Sequence, residues 1–220
     1  SKLAGRLEVS KGQYNEALRR FKLEMNERGA AAALNGLGTI AETQGKLIEA
    51  ERLFRDSLDI QKEISDRKGE AESLNNLGEV TYARGKLTEA ERLFRDSLDI
   101  QKEISDRKGE AESLNNLGGI ADTRGDLKEA ERLYRESQAI RREIGHRSGE
   151  AISLNNLGGI ASKRGDLKEA ERLYRESQAI EKEIGNRGGE AISLNNLGFI
   201  ANTRGDLKEA ERLDWESLAI

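Results

Sequence analysis

Glycines recur at Gly45, Gly85, Gly125, Gly165 and Gly205, each 40 residues after the last. A second series at Gly38, Gly78, Gly118, Gly158 and Gly198 runs seven residues ahead of the first. The repeat around them reads GEAxSLNNLGxIAxxRGDLKEAERLYRESxxIxxEI with small variations, and residues 50–78 and 90–118 are identical. A fixed period of this length means one supersecondary element copied in tandem, which buries its apolar surface only by stacking on its neighbours.

Each repeat reads as two helices. In the first, Ala71, Leu74, Leu77, Gly78 and Thr81 fall on one face at i, i+3, i+4 and i+7. Gly85 ends that helix by supplying a positive φ. Asp126 and Glu129 have the spacing of a capping box for the second helix, which buries Leu127, Ala130, Leu133, Tyr134 and Ser137 and shows Glu131 and Arg135 to solvent at i, i+4. Gly145–Gly149 turns the chain into the next pair. The fold class expected is all-α, a solenoid of about six helix pairs in a single array over 1–220, with repeats near 1–28, 29–67, 68–107, 108–147, 148–187 and 188–220. The helices fall at about 1–11 and 13–28, 29–44 and 46–65, 68–84 and 86–105, 108–124 and 126–145, 148–164 and 166–185, and 188–204 and 206–220. The first repeat is expected to be degenerate. Gly5 and Gly12 keep the seven-residue spacing but lie 33 residues before the next pair, so seven residues are read as missing near Met25–Arg28. The chain reads as a fragment of a longer one.

Small-Gly in the first helix, glycine at the turn, then Ala and an aromatic in the second helix resemble the tetratricopeptide repeat. Leu77-Gly78, Gly85, Ala90 and Phe94 carry that resemblance. Leu74 stands where the family often has Trp, the usual inter-repeat proline is absent, and 40 residues exceeds the usual 34. Those departures resemble the long-repeat arrays of Pins-like scaffolds, kinesin light chains and STAND signalling ATPases. The resemblance implies a right-handed superhelix whose first helices line a concave groove.

With Leu74, Leu77 and Thr81 buried, the helical period of 100° per residue sends Glu72, Asn76 and Glu79 to the opposite side, with Asn75 on its flank. The candidate groove collects Asn75, Asn76, Asn115, Asn116, Asn155, Asn156, Asn195 and Asn196; the first repeat has Asn35 and Gly36. An asparagine amide donates and accepts at once and can clamp a peptide backbone, as the groove asparagines of kinesin light chains and Pins-like scaffolds do by resemblance. The alternative is that one asparagine of each pair fixes repeat stacking. The variable groove positions are Glu72, Glu79, Tyr82, Glu112 and Asp122 early, then Ile152, Lys163, Ile192 and Phe199. They suit a ligand basic at one end with an apolar anchor at the other.

Composition narrows the function. Charged residues make up 35 % of the chain and aromatics 4 %, and the net charge of −4 has both signs mixed throughout, leaving no basic stripe for nucleic acid. No cysteine is present, which fits a reducing compartment, and the expected location is cytoplasmic. The longest apolar stretch, Ala30–Leu34, is too short to span a bilayer. One histidine, His146, excludes a zinc site of the usual kind; it stands where Asp66, Asp106 and Asn186 begin first helices and reads as a weak cap or surface residue, so no Ser–His–Asp triad is expected. The carboxylates read as solvated pairs with Arg and Lys, none marked as a raised-pKa acid. No cofactor, metal or enzymatic activity is expected. Arg-Gly-Asp at 124–126, 164–166 and 204–206 reads as turn plus cap. Trp215 lies one place after the aromatic register, which Asp214 occupies, so the last helix is either shifted or capped by the indole. The function expected is a protein-interaction scaffold holding a partner peptide or helix in the groove. The alternative is a spacer or oligomerisation module, with STAND-type sensing as one form of it. Self-association through the C-terminal end is expected because Leu207, Ala210, Leu213 and Leu218 continue the apolar stripe.

Overall fold

The computed structural model describes residues 2–220, with side chains from Gly5 onward. Among the described residues there are eleven helices and no strand: α1 Lys2–Leu23, α2 Glu27–Thr43, α3 Leu47–Glu63, α4 Arg67–Ala83, α5 Leu87–Glu103, α6 Arg107–Thr123, α7 Leu127–Glu143, α8 Arg147–Lys163, α9 Leu167–Glu183, α10 Arg187–Thr203 and α11 Leu207–Leu218. Even-numbered helices are the first helices of the repeats, odd-numbered ones the second. They run as consecutive antiparallel pairs, the expected all-α solenoid. The helices from α2 onward start and stop within a few residues of the sequence expectation. The residues group into two compact units, one up to Asn116 and one from Leu117, dividing within α6.

The repeat's consensus explains the packing. In the N-terminal unit Ala71, Leu74, Leu77, Gly78, Val80 and Thr81 of α4 are all buried. Gly78 lets the neighbouring second helix approach: a Cβ there would fall 2.5 Å from the Phe94 ring. The C-terminal unit repeats the device with Tyr134 on Gly118 and Tyr174 on Gly158, at 2.7 and 2.6 Å. At the intra-repeat turn Gly85 has φ +76°, its N–H reaches the Tyr82 carbonyl at 2.8 Å, and Lys86 N–H reaches that of Thr81 at 3.1 Å. That pairing stops a helix through a left-handed residue.

The inter-repeat turns differ between the units. Met25, Ser65 and Ser105 take φ of 52°, 55° and 57° in the N-terminal unit, whereas Gly145 and Gly185 take 67° and 70° in the C-terminal one. A side chain in that conformation costs roughly 1 kcal/mol. The caps follow composition. Asp126 Oδ1 accepts from Glu129 N–H at 3.1 Å, but the Glu129 carboxylate turns to Arg132, at 2.8 and 2.6 Å. The Asp126 N–H meets the Ala121 carbonyl at 2.9 Å, so the cap is one-sided rather than a reciprocal box. His146 makes no side-chain cap bond.

The first repeat departs from expectation. Residues 2–23 form one helix, not two at 1–11 and 13–28, and Ser1 lies outside the described residues. No residues are missing: Gly5 lies 40 before Gly45, and Asn26 caps α2 as Asp66 caps α4. The seven-residue glycine spacing misled because Gly12 sits within a helix. Tyr14, in the register of Phe54, lies against Gly36, which replaces the second asparagine of later repeats. At the other end α11 is not shifted. Asp214 keeps the aromatic's place, 2.6 Å from where a Cβ of Gly198 would lie, and Trp215 is 66 % exposed rather than packed as a cap.

Candidate binding face on the first helices

Asn35, Asn75 and Asn155 each tie one repeat to the next. Ser73 Oγ donates to Asn35 Oδ1 at 3.0 Å. Asn75 Oδ1 accepts from Ser113 Oγ at 3.4 Å and from Asn116 Nδ2 at 3.2 Å. In the C-terminal unit Asn155 Nδ2 donates to Ser177 Oγ at 2.8 Å and Ser193 Oγ at 3.2 Å, while its Oδ1 accepts from Asn196 Nδ2 at 3.3 Å. The serines are anchored in turn, Ser97 on the Ala71 carbonyl and Ser177 on that of Ala151, at 2.8 and 2.9 Å. Buried hydroxyls and amides thus satisfy each other along the stack. Asn76 is half-buried and Asn195 exposed. Asn115 and Asn156 are half-buried and have partners of their own.

The variable positions separate by unit. In the N-terminal unit Glu79 Oε1 accepts from both Asn75 Nδ2 and Asn116 Nδ2 at 3.1 Å. Burial nevertheless holds its carboxyl above the ordinary carboxylate range; the two amides oppose that rise and Glu112 adds to it. Glu42, which the sequence reading did not single out, is raised by burial and by Glu79. Glu72 is raised by burial, against Lys68 and with help from Asp106, Asp66 and Glu112. These raised carboxyls correct the expectation that none would be marked. Partial desolvation against neighbouring helices, with like charges added to it, causes the shift even though Glu72 and Glu79 keep exposed surface, and side-chain spacing alone does not show it. Tyr82 is exposed on the same helix as Glu79.

In the C-terminal unit the corresponding surface is apolar. Ile152, Ile192 and Phe199 are 45 %, 57 % and 61 % exposed. Asp122 and Lys163 neutralise each other at 2.6 and 2.7 Å. The arginines of the second and third Arg-Gly-Asp have a structural use. Arg164 pairs with Glu131 and donates to the Leu127 carbonyl at 2.8 Å; Arg204 pairs with Glu171 and donates to that of Leu167 at 2.8 Å. Glu131, read from sequence as a simple partner of Arg135, therefore also joins repeats. Among the described residues no cluster of three or more His, Cys, Asp or Glu could hold a metal ion, and no helix is long and apolar enough to cross a membrane.

Tandem helix pairs joined by glycine turns and locked by an aromatic on a glycine define an α-solenoid of repeats. The chain belongs to the tetratricopeptide repeat family: tetratricopeptide models match residues 30–67, 69–143 and 149–220. No curated protein matches. Among solved structures, BtubC (BKLC) from P. vanneervenii is similar at 18 % identity and TM-score 0.81, over 97 % of this chain and 90 % of its own. A Podosopora anserina protein named as a kinesin light chain with nearly identical TPR-like repeats matches at 21 % identity and TM-score 0.67, over 86 % and 93 %. A Rap protein in complex with Competence and Sporulation Factor matches at 18 % identity and TM-score 0.73, over 97 % and 65 %. At these identities the likeness is one of fold.

Proposed function

We propose that this chain is a non-catalytic protein-interaction scaffold that holds a segment of a partner protein on its first-helix face. The observation that carries this reading is the exposure of Ile152, Ile192 and Phe199 together on α8 and α10. Large apolar side chains left in water on a polar protein mark a contact surface. The family serves chiefly in protein interaction, and the Rap relative was solved with a bound factor. A protein partner also fits the mixed charge, which offers nothing to nucleic acid. The reading includes a cytoplasmic location and no turnover, because binding energy without a nucleophile, acid–base pair or metal accelerates no reaction.

The asparagines enter this reading in altered form. Asn75 and Asn155 are engaged in stacking, so contact with ligand falls chiefly to the variable positions, with Asn76 beside Asn75. The test is affinity capture of a partner, mapping of its bound segment, and measurement of Kd for that segment. Ile192→Asp with Phe199→Asp should weaken binding tenfold or more, about 1.4 kcal/mol. Arg132→Glu, on the second-helix face, should leave Kd unchanged. The reverse pattern would sink the proposal.

A second reading is favoured by one residue. Leu218 is 77 % exposed, whereas Leu58 and Leu98 at the same register are 7 % and 8 % exposed. We infer that the 220-residue chain self-associates through α11. Light scattering should show a concentration-dependent dimer that Leu218→Glu abolishes; a strict monomer at high concentration refutes it.

A further inference from the structure

Three positions of the N-terminal unit recur 80 residues later with one exchange. Asn75, Glu79 and Asn116 become Asn155, Gly159 and Asn196. The Glu79 carboxylate that accepts from both amides has no counterpart in the C-terminal unit. A second exchange accompanies the first: Phe94 becomes Tyr174. A Cβ on Gly159 would meet only the Tyr174 hydroxyl oxygen, at 3.8 Å. The carboxylate is thus lost, and a hydroxyl is gained beside Gly159.

The groups around Gly159 are left short of partners. Tyr174 is 5 % exposed, and among the described residues its hydroxyl makes no hydrogen bond. Burial raises its pKa with no hydrogen bond to oppose the rise. Asn196 spends one amide N–H on Asn155 Oδ1, while its counterpart Asn116 spends Nδ2 on both Asn75 and Glu79. Packing does not require glycine at 159, since a methyl group there would make only ordinary contact. Glycine inside a helix costs about 1 kcal/mol relative to alanine, so the open space is held against helix propensity.

We propose that Gly159, Tyr174 and Asn196 frame a slot for the side-chain carbonyl of a partner's glutamine, which takes the place that Glu79's carboxylate fills in the N-terminal unit. The proposal rests on the first-helix face being the binding face. The Tyr174 hydroxyl and the Asn196 amide are both donors, so the occupant must accept. It is neutral because Lys163, one turn on in α8, is held by Asp122 and so does not serve a carboxylate in the slot. Desolvation raises the Glu79 carboxyl despite two amide donors, which favours a neutral occupant at the matching place. Ile152 lies two turns before Gly159 in α8, and Ile192 and Phe199 lie within two turns of Asn196 in α10, so the residues flanking the glutamine are apolar.

The test uses three synthetic pentapeptides, acetyl-Leu-Ala-Gln-Ala-Leu-amide and the versions with Glu or Leu at the centre, titrated into the 220-residue chain at pH 7 with the Asn196 side-chain amide followed by NMR. The Gln peptide should shift that signal saturably, with Kd roughly millimolar. The Glu peptide should bind at least about fivefold more weakly, and the Leu peptide should leave Asn196 unmoved. Tyr174→Phe restores the residue found at position 94 and should fold normally while weakening the Gln peptide about fivefold. Gly159→Glu should move the Asn196 signal without peptide and abolish binding. An equal Asn196 shift with the Leu peptide would assign the contact to a backbone carbonyl and overturn the glutamine slot. Tighter binding of the Glu peptide, or no response to any of the three, would overturn it as well. If a mapped partner loses affinity with Ile192→Asp and Phe199→Asp but not with Tyr174→Phe, the slot fails and the binding face stands.

Discussion

The first-helix faces of the two units are built on one scaffold and carry opposite chemistry. In the N-terminal unit Glu42, Glu72, Glu79 and Glu112 crowd the face, and three of them are held above the ordinary carboxylate range. In the C-terminal unit the registers of Glu72, Glu112 and Glu79 hold Ile152, Ile192, Gly159 and Phe199, and that of Glu42 holds Asp122, which Lys163 neutralises. The buried sides of α4 and α8 meanwhile keep Ala, Ser, Leu, Leu and Gly at the same positions. Duplicated repeats therefore diverge where packing is indifferent. The difference also reaches inward: Asn75 turns its amide out to Glu79, and Asn155 turns its amide in to Ser177 and Ser193.

That contrast predicts unequal costs for the same substitution. Asn155→Ala should cost about 2 kcal/mol, because two buried serines and Asn196 lose their partner. Asn75→Ala should cost about 1 kcal/mol, since Glu79 keeps the Asn116 amide. Asn195→Ala, on an exposed residue, should stay within about 0.5 kcal/mol. Urea unfolding measures all three, and equal costs at 75 and 155 would erase the distinction between the units. The turns give the next effect. Ser65→Gly and Ser105→Gly should each stabilise by roughly 1 kcal/mol by relieving a left-handed serine, bringing the N-terminal unit to the chemistry of Gly145 and Gly185.

The acidic face should respond to pH in a way the apolar face does not. The raised folded-state pKa of Glu79 means its penalty is absent below the unfolded value near 4.5 and grows as pH rises through the folded value. Glu79→Gln should therefore raise Tm at pH 7 and leave it unchanged below about pH 4. Glu181 in the C-terminal unit is a buried exception, raised by burial against the Asn186 hydrogen bond, and Glu181→Gln should follow the same pH pattern. A Tm gain that persists at low pH would show that packing, not charge, is responsible. The smallest effect expected is from Lys163→Met, which breaks a partly exposed ion pair and should change stability by less than about 1 kcal/mol.

The 40-residue period determined the helix pairs, their turns and the identity of the buried face, because a stripe at helical spacing has one way to leave water. It did not determine α1, where Gly12 imitated a turn while Tyr14 and Gly36 packed a continuous helix. The candidate face was legible as a set of positions, since residues opposite a buried stripe must face out. Which asparagines stay available was not legible, because Asn75 and Asn155 are spent on serines 38 residues away. The raised carboxyls and the open space over the Tyr174 hydroxyl likewise came only from the tertiary structure. Sequence sets which face a side chain leaves from; hydrogen-bond satisfaction and burial depend on which groups other repeats bring within reach, and that is a property of the folded stack.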